Sequence, residues 1–235
     1  MDFFFQLLAQ LEDALPDVHR HSLNTAKLAL KAGKYMRLDA AALESLVTAA
    51  FLHDVGKLRI APAVLHKPGR LAAAEWQEMV KHPRYGLEML AGLHPPERLA
   101  AGVLYHHEWW NGEGYFGLRG AGIPPAARLL ALCDSWDAMT SPRVYQPTKT
   151  RQEARQELER MRGRQFDPAL VPLFLRMLQE EQSRSPAESL RDASEWLARC
   201  FQMYRNFHNP VVYAASLLID DLVLCDVVAQ CAITR

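Results

Sequence analysis

The chain has 235 residues, 49% of them hydrophobic and 23% charged, which is enough for one substantial core or for one domain with an appended subdomain. Lysine plus arginine, 27 residues, balance 27 aspartates and glutamates, and the sequence pI is about 7.1, so no global charge points to DNA or to an acidic membrane surface as a partner. Any anionic ligand has to be recognised locally.

Helical periodicity runs through the sequence and no stretch alternates as a strand would, so the expected fold class is all-α. A first helix is predicted over residues 2–14, with Pro16 ending it or bending the chain away. Asp2 stands where a secretory leader needs positive charge, and no small-residue cleavage site follows, so export is not expected and the chain reads as cytoplasmic. From His21 the apolar positions Leu23, Ala26 and Leu30 follow helical spacing up to Gly33. Asp39 is placed to cap a helix whose buried stripe includes Leu43, Leu46, Val47, Ala50 and Phe51, with Gly56 as its stop.

Further helices are predicted over 73–82, 84–93 and 96–106. After a glycine-rich loop, residues 124–141 read as a central apolar helix that opens with prolines, which a first helical turn tolerates. Residues 150–162 mix both charge signs and read as a solvated helix face, and 166–182 as one more amphipathic helix. A polar hinge at 183–186 separates a main domain, 1–182, from a C-terminal helical extension, 183–235, with helices expected near 187–204 and 211–232. The last of these is apolar but carries Asp220, Asp221 and Asp226, which would be costly within a bilayer, so no membrane insertion is expected. Cys133, Cys200, Cys225 and Cys231 lack CxxC spacing and read as reduced core residues.

The chemistry lies in the placement of histidines. His53 and Asp54 are adjacent at the end of one apolar helix, His106 and His107 at the end of another, and Asp134 interrupts the hydrophobic run LLALCDSWDAM. A carboxylate within a core-facing stripe incurs a large desolvation penalty unless a cation sits beside it, and neutral imidazoles supply no charge. A divalent metal would. Mixed imidazole and carboxylate donors suit Mn, Fe, Zn, Co or Ni, and such sites can hold two ions about 3.5 to 4 Å apart, clamping a phosphoryl group for in-line attack by water.

The motifs HDVGK at 53–57, KPGRL at 67–71, HPRYGLEML at 82–90, HHEWWNGEGYF at 106–116, GLRGAGIP at 117–124 and GRQFDPALV at 163–171 resemble, in order and interval, the HD-GYP branch of the HD superfamily of metal-dependent phosphohydrolases. Members of that branch are all-helical phosphodiesterases for cyclic di-GMP. The resemblance covers roughly residues 17–182 and implies an HD-domain helical bundle. It also implies His21, His53, Asp54, His82, His106, His107 and Asp134 as metal ligands, Asp54 bridging two ions, commonly iron or manganese. Asp17 stands where some members carry a glutamate for a third ion.

By the same resemblance Lys57 meets the scissile phosphate with its ammonium and Arg143 grips a phosphate with its planar fork. Tyr115, with Trp109, Trp110 and Phe116, offers ring faces on which a guanine could stack, while a plug that packs the loop on the domain explains the two tryptophans equally well. Phe116 replaces the third signature residue, proline, and Gln146 replaces a second phosphate-gripping cation, for which Lys149 is a substitute. The implied reaction is hydrolysis of cyclic di-GMP to linear pGpG, with GMP as a further product in some members. The altered loop residues keep two alternatives open: hydrolysis of another nucleotide such as cyclic GMP-AMP, and nucleotide sensing without turnover. The C-terminal extension is a candidate homodimer contact.

Overall fold

The computed structural model describes residues 3–142 and 148–183. Ten helices lie among them: α1 Phe3–Ala14, α2 Pro16–Tyr35, α3 Ala40–Leu52, α4 Pro62–Leu65, α5 Ala73–Met79, α6 His82–Leu90, α7 Glu97–Tyr105, α8 Pro125–Thr140, α9 Arg151–Arg160 and α10 Leu170–Ser183. The all-α reading holds: β pairing among the described residues is confined to an isolated bridge between Arg162 and Phe166. Two compact units, residues 1–175 and 176–235, divide the chain, and the first carries α1 to α9 and the start of α10. Residues 184–235 lie outside the described set, and with them the predicted hinge, extension and dimer contact, together with Cys200, Cys225 and Cys231. Among the described residues no helix is long and apolar enough to cross a membrane.

α3 is the centre of the bundle. Asp39 caps it, accepting from the Ala42 N–H at 2.8 Å, and the helix packs on α2, α7 and α8. Because neighbours surround it, Ser45 through Leu52 are all buried, which is a wider face than the predicted stripe; Leu43 is only half-buried. α8 is nearly as enclosed, with Leu129, Leu130, Leu132 and Cys133 in the core. Each fully buried Leu or Phe here contributes about 1.5–3 kcal/mol.

Several boundaries differ from the sequence expectation. Pro16 opens α2 rather than only ending α1: a proline is suited to a first turn, where its missing N–H is not needed. α3 stops at Leu52, and Gly56 lies inside a 3-10 turn, Val55–Arg59, instead of terminating the helix. The predicted helix over 73–82 breaks after Met79, and His82 becomes the first residue of α6, with Pro83 in its opening turn. α10 begins at Leu170, because Pro168 disfavours a helical residue before it and Asp167 ties down the turn by accepting from the Ala169 N–H at 2.8 Å.

Candidate metal centre

Five elements each bring one or two polar side chains to a common point. His21 comes from the second turn of α2, His53 and Asp54 from the end of α3, His82 from the start of α6, His106 and His107 from the end of α7, and Asp134 from the middle of α8. Two glycines permit the approach. A Cβ on Gly56 would stand 2.0 Å from the His82 carbonyl oxygen and 2.4 Å from the Gly86 nitrogen, so only glycine lets the 55–59 turn lie against α6. A Cβ on Gly102 would meet the Ala49 Cβ at 2.8 Å, so α7 also closes tightly on α3.

The ring orientations are set by local bonds. Nδ1 of His53, His82 and His106 donates to the carbonyl three residues earlier, Ala50, Met79 and Val103, at 2.7, 2.8 and 2.7 Å. A carbonyl only accepts, so the proton is on Nδ1 and the Nε2 lone pair of each ring faces inward. There the His82 and His106 Nε2 atoms lie 3.3 Å apart, the His53 Nε2 is 3.4 Å from Asp54 Oδ2, and the His82 Nε2 is 3.3 Å from Asp54 Oδ1. His53 Nε2 and Asp54 Oδ1 are buried without a hydrogen-bond partner in the protein. Inward-facing lone pairs beside a carboxylate repel unless a cation lies among them.

Donor atoms of Asp54, His82, His106 and His107 lie within 4.8 Å of one another, and so do those of His21, His53 and Asp54. Asp54 belongs to both groups. Asp134 Oδ1 adds a carboxylate beside the second, 2.8 Å from His21 Nε2 and 4.0 Å from His53 Nε2. Imidazole and carboxylate without thiolate is a donor set suited to a first-row divalent ion, and the orphaned atoms of His53 and Asp54 fit such a site.

Electrostatics agree with that fit. Burial lowers His82 to about 3 and His107 to about 4, and holds His106 well below the ordinary imidazole range, so all three are neutral at physiological pH, as donors to a metal need to be. Burial opposes ionisation of Asp54, but Lys57 and then His53 hold its carboxyl well below the ordinary value. Asp134 is likewise held low against its burial, first by His21. His21 runs the other way: burial lowers it, yet its bonds to Asp134 and Asp137 raise it to about 9.

Beside the cluster opens a cleft of about 350 Å³, lined among others by Arg20, His21, Asn24, Asp54, Lys57 and Asp137. Lys57 Nζ donates to Asp54 Oδ2 at 2.6 Å, which sets an ammonium at the cleft wall. Tyr115 leans on His107, centroids 4.6 Å apart and rings 36° from parallel, and meets Trp76 edge-on at 6.0 Å.

A family model described as HD domain matches residues 6–170. The chain belongs to the HD-domain family. The resemblance to the HD-GYP branch holds as well. A cyclic di-GMP phosphodiesterase of Vibrio cholerae serotype O1 is 41% identical over 165 residues, which are 67% of this chain and 33% of the relative. A 3′3′-cGAMP-specific phosphodiesterase 2 of the same organism is 41% identical over 138 residues, 56% of this chain and 26% of the relative. This chain therefore spans a quarter to a third of the length of these two relatives. Among solved structures, Bd1817, an HDG"Y"P protein from Bdellovibrio bacteriovorus, shares the fold at a TM-score of 0.56 and 19% identity, over 69% of this chain and 52% of that one.

Arg143 and Gln146 lie outside the described residues, and of the other residues singled out in the sequence some stand apart from the cluster. Asp17 sits on the cleft rim, exposed and paired with Arg20 at 2.5 Å. The contacts of Trp109 and Trp110 favour the packing reading: Arg164 and Arg128 each lie 5.7 Å from one of the rings, and the Trp110 N–H donates to the Gln165 carbonyl. Phe116 packs edge-on against Tyr105 beneath the Arg84 guanidinium.

Two buried acids escaped the sequence reading. Asp137 holds His21 from behind, 2.6 Å from its Nδ1. Its signal was the spacing DSWD, which sets Asp134 and Asp137 on one face of α8. Glu108, in HHE, accepts the Phe116 and Leu118 N–H groups at 2.6 and 2.5 Å and ties the glycine-rich loop into a ring.

Proposed function

We propose that this chain is a metal-dependent phosphodiesterase that hydrolyses cyclic di-GMP to linear pGpG, and onward to GMP in a second cut. What carries the reading is the pair of donor groups that share Asp54, with His53 Nε2 and Asp54 Oδ1 buried and unpartnered between neutral imidazoles. Two divalent ions, iron or manganese, fit these groups, one held by His21, His53, Asp54 and Asp134 and the other by Asp54, His82, His106 and His107. Asp17 is assigned no ion. The Vibrio cholerae relatives support a cyclic dinucleotide as the substrate class.

When bound, such ions supply Lewis-acid charge at the phosphoryl group. In line, a water oxygen attacks phosphorus, the bond from phosphorus to the ribose 3′ oxygen breaks, and the proton the water gives up ends on the departing 3′ oxygen as a hydroxyl. Lys57, held at the cleft wall by Asp54, offsets the negative charge that builds on the phosphoryl oxygens. Tyr115 presents a ring face to a base, and Arg143 grips the second phosphate. The reading implies a cytoplasmic protein, because the substrate is an intracellular nucleotide. It takes residues 1–182 as the catalytic domain and residues 183–235 as an extension through which two copies pair.

The test is turnover of cyclic di-GMP by purified protein supplied with Mn(II) or Fe(II), alongside metal analysis and the same assay with cyclic GMP-AMP. Replacing His53 and Asp54 with alanine should remove bound metal and reduce turnover by about 10³-fold or more, on the order of 4 kcal/mol. Faster turnover of cyclic GMP-AMP would move the assignment to that nucleotide, in keeping with the cGAMP-specific relative. Tight nucleotide binding without turnover in either metal would make the chain a sensor.

A further inference from the structure

His21 differs from the three histidines with main-chain partners in what holds its second ring nitrogen. His53, His82 and His106 turn Nδ1 to a neutral carbonyl in their own preceding turn. His21 on α2 instead turns Nδ1 to the Asp137 carboxylate on α8, 116 positions away in sequence and 2.6 Å in space. Asp137 is 4% exposed, and its other oxygen accepts from Ser141 Oγ at 2.5 Å. Ser141 is reached in turn by Asn24 Nδ2 of α2 at 3.5 Å. One face of α8 thus supplies a carboxylate to each nitrogen of a single ring, with Asp134 Oδ1 2.8 Å from Nε2.

This matters for a ligand because a carboxylate behind an imidazole fixes the ring orientation and strengthens its donor nitrogen more than an amide carbonyl does. The tie also crosses between two helices, so α8 determines where the α2 ligand points. The opposing donor group has no such support: His82 and His106 rest on carbonyls, and His107 stacks on Tyr115.

We propose that Asp137 is a positioning residue that makes the two cation positions unequal, the His21–His53–Asp54 position filling first and more tightly than the Asp54–His82–His106–His107 position. The inference rests on the two-cation reading given above. Ser141 and Asn24 extend the same hold to the cleft wall, since both line the cleft with Asp137.

The experiment is a titration of the metal-free full-length chain with Mn(II), followed by spin-resonance signal and bound-metal stoichiometry. Wild type should show two dissociation constants at least tenfold apart. Asp137→Asn, which keeps the shape but not the charge, should weaken the tighter one by about 10–100-fold and leave the weaker one unchanged. Melting of the metal-free variant controls for damage to the fold, and Ser141→Ala, a milder perturbation of the same carboxylate, should weaken the same site by a smaller factor. Asp137→Asn with both constants unchanged, or with both weakened equally, overturns the role of Asp137 while the two-cation reading stands. Wild type that takes up no Mn(II) overturns both.

Discussion

At Gly56 the absence of a side chain is what allows two ligand-bearing elements to touch. The atoms a Cβ would meet there are main-chain atoms of His82 and Gly86, and main chain cannot swing aside as a flexible side chain can. Gly56→Ala is therefore expected to destabilise the fold by about 3 kcal/mol, the upper end for overpacking, and to weaken metal uptake by displacing His82 from Asp54. Urea unfolding and metal stoichiometry check it; an alanine variant with wild-type midpoint and metal content would mean that α6 yields easily. The same residue marks how far a sequence can be read. Gly56 reads in the sequence as a helix stop, whereas its place is a contact inside the 55–59 turn, which the sequence does not show because the partner that forbids a Cβ lies on another helix.

Among the elements, the loop from Glu108 to Pro124 depends most on one side chain. Glu108 is 3% exposed, and its two oxygens accept the N–H groups of Phe116 and Leu118, while the Trp110 N–H is held by the 163–167 turn. Gly114 completes the fold of the loop, since a Cβ there would lie 2.5 Å from the Glu108 Cα. Glu108→Ala leaves two amides without an acceptor, a cost of about 1–3 kcal/mol for each group, concentrated in the loop that presents Tyr115. The expected outcome in the phosphodiesterase assay is a KM raised by about tenfold with metal content intact. A fall in bound metal instead would show that the loop also holds His106 and His107 in place. Sequence periodicity found the helices on either side of this loop but could not tell which of its aromatics face the site. That depends on the tertiary partners Arg128, Arg164 and Tyr105.

For the whole molecule, the cluster draws on residues from position 21 to position 134, so metal binding and folding are coupled. Saturating Mn(II) at about 100 times its dissociation constant should add about 2.7 kcal/mol per site, and chelation should lower the melting temperature accordingly. The chelated chain should also depend on pH in both directions. His82 and His107 titrate at about 3 and about 4 when folded, against 6.5 when unfolded, so below pH 6.5 the unfolded state binds more protons and stability falls as the medium is acidified toward 4. His21, raised to about 9 when folded, contributes stability that is fully present below 6.5 and is lost as pH rises through 9. Urea midpoints of the chelated protein across this range should peak near neutrality, and a flat profile would contradict the burial of these rings.

The sequence by itself determined the all-α class, the order of the helices around the site and five of the clustered residues, His53, Asp54, His106, His107 and Asp134, because helical periodicity and polar groups set in apolar helices are local signals, whereas His21 and His82 came only through the resemblance to the HD-GYP branch. Tertiary structure decided that three imidazoles turn Nε2 inward and that Asp137 stands behind His21. It also decided that Pro16 and His82 begin helices rather than end them. Each of these rests on atoms brought within about 3 Å from distant parts of the chain, where desolvation and hydrogen-bond geometry take over from local propensity.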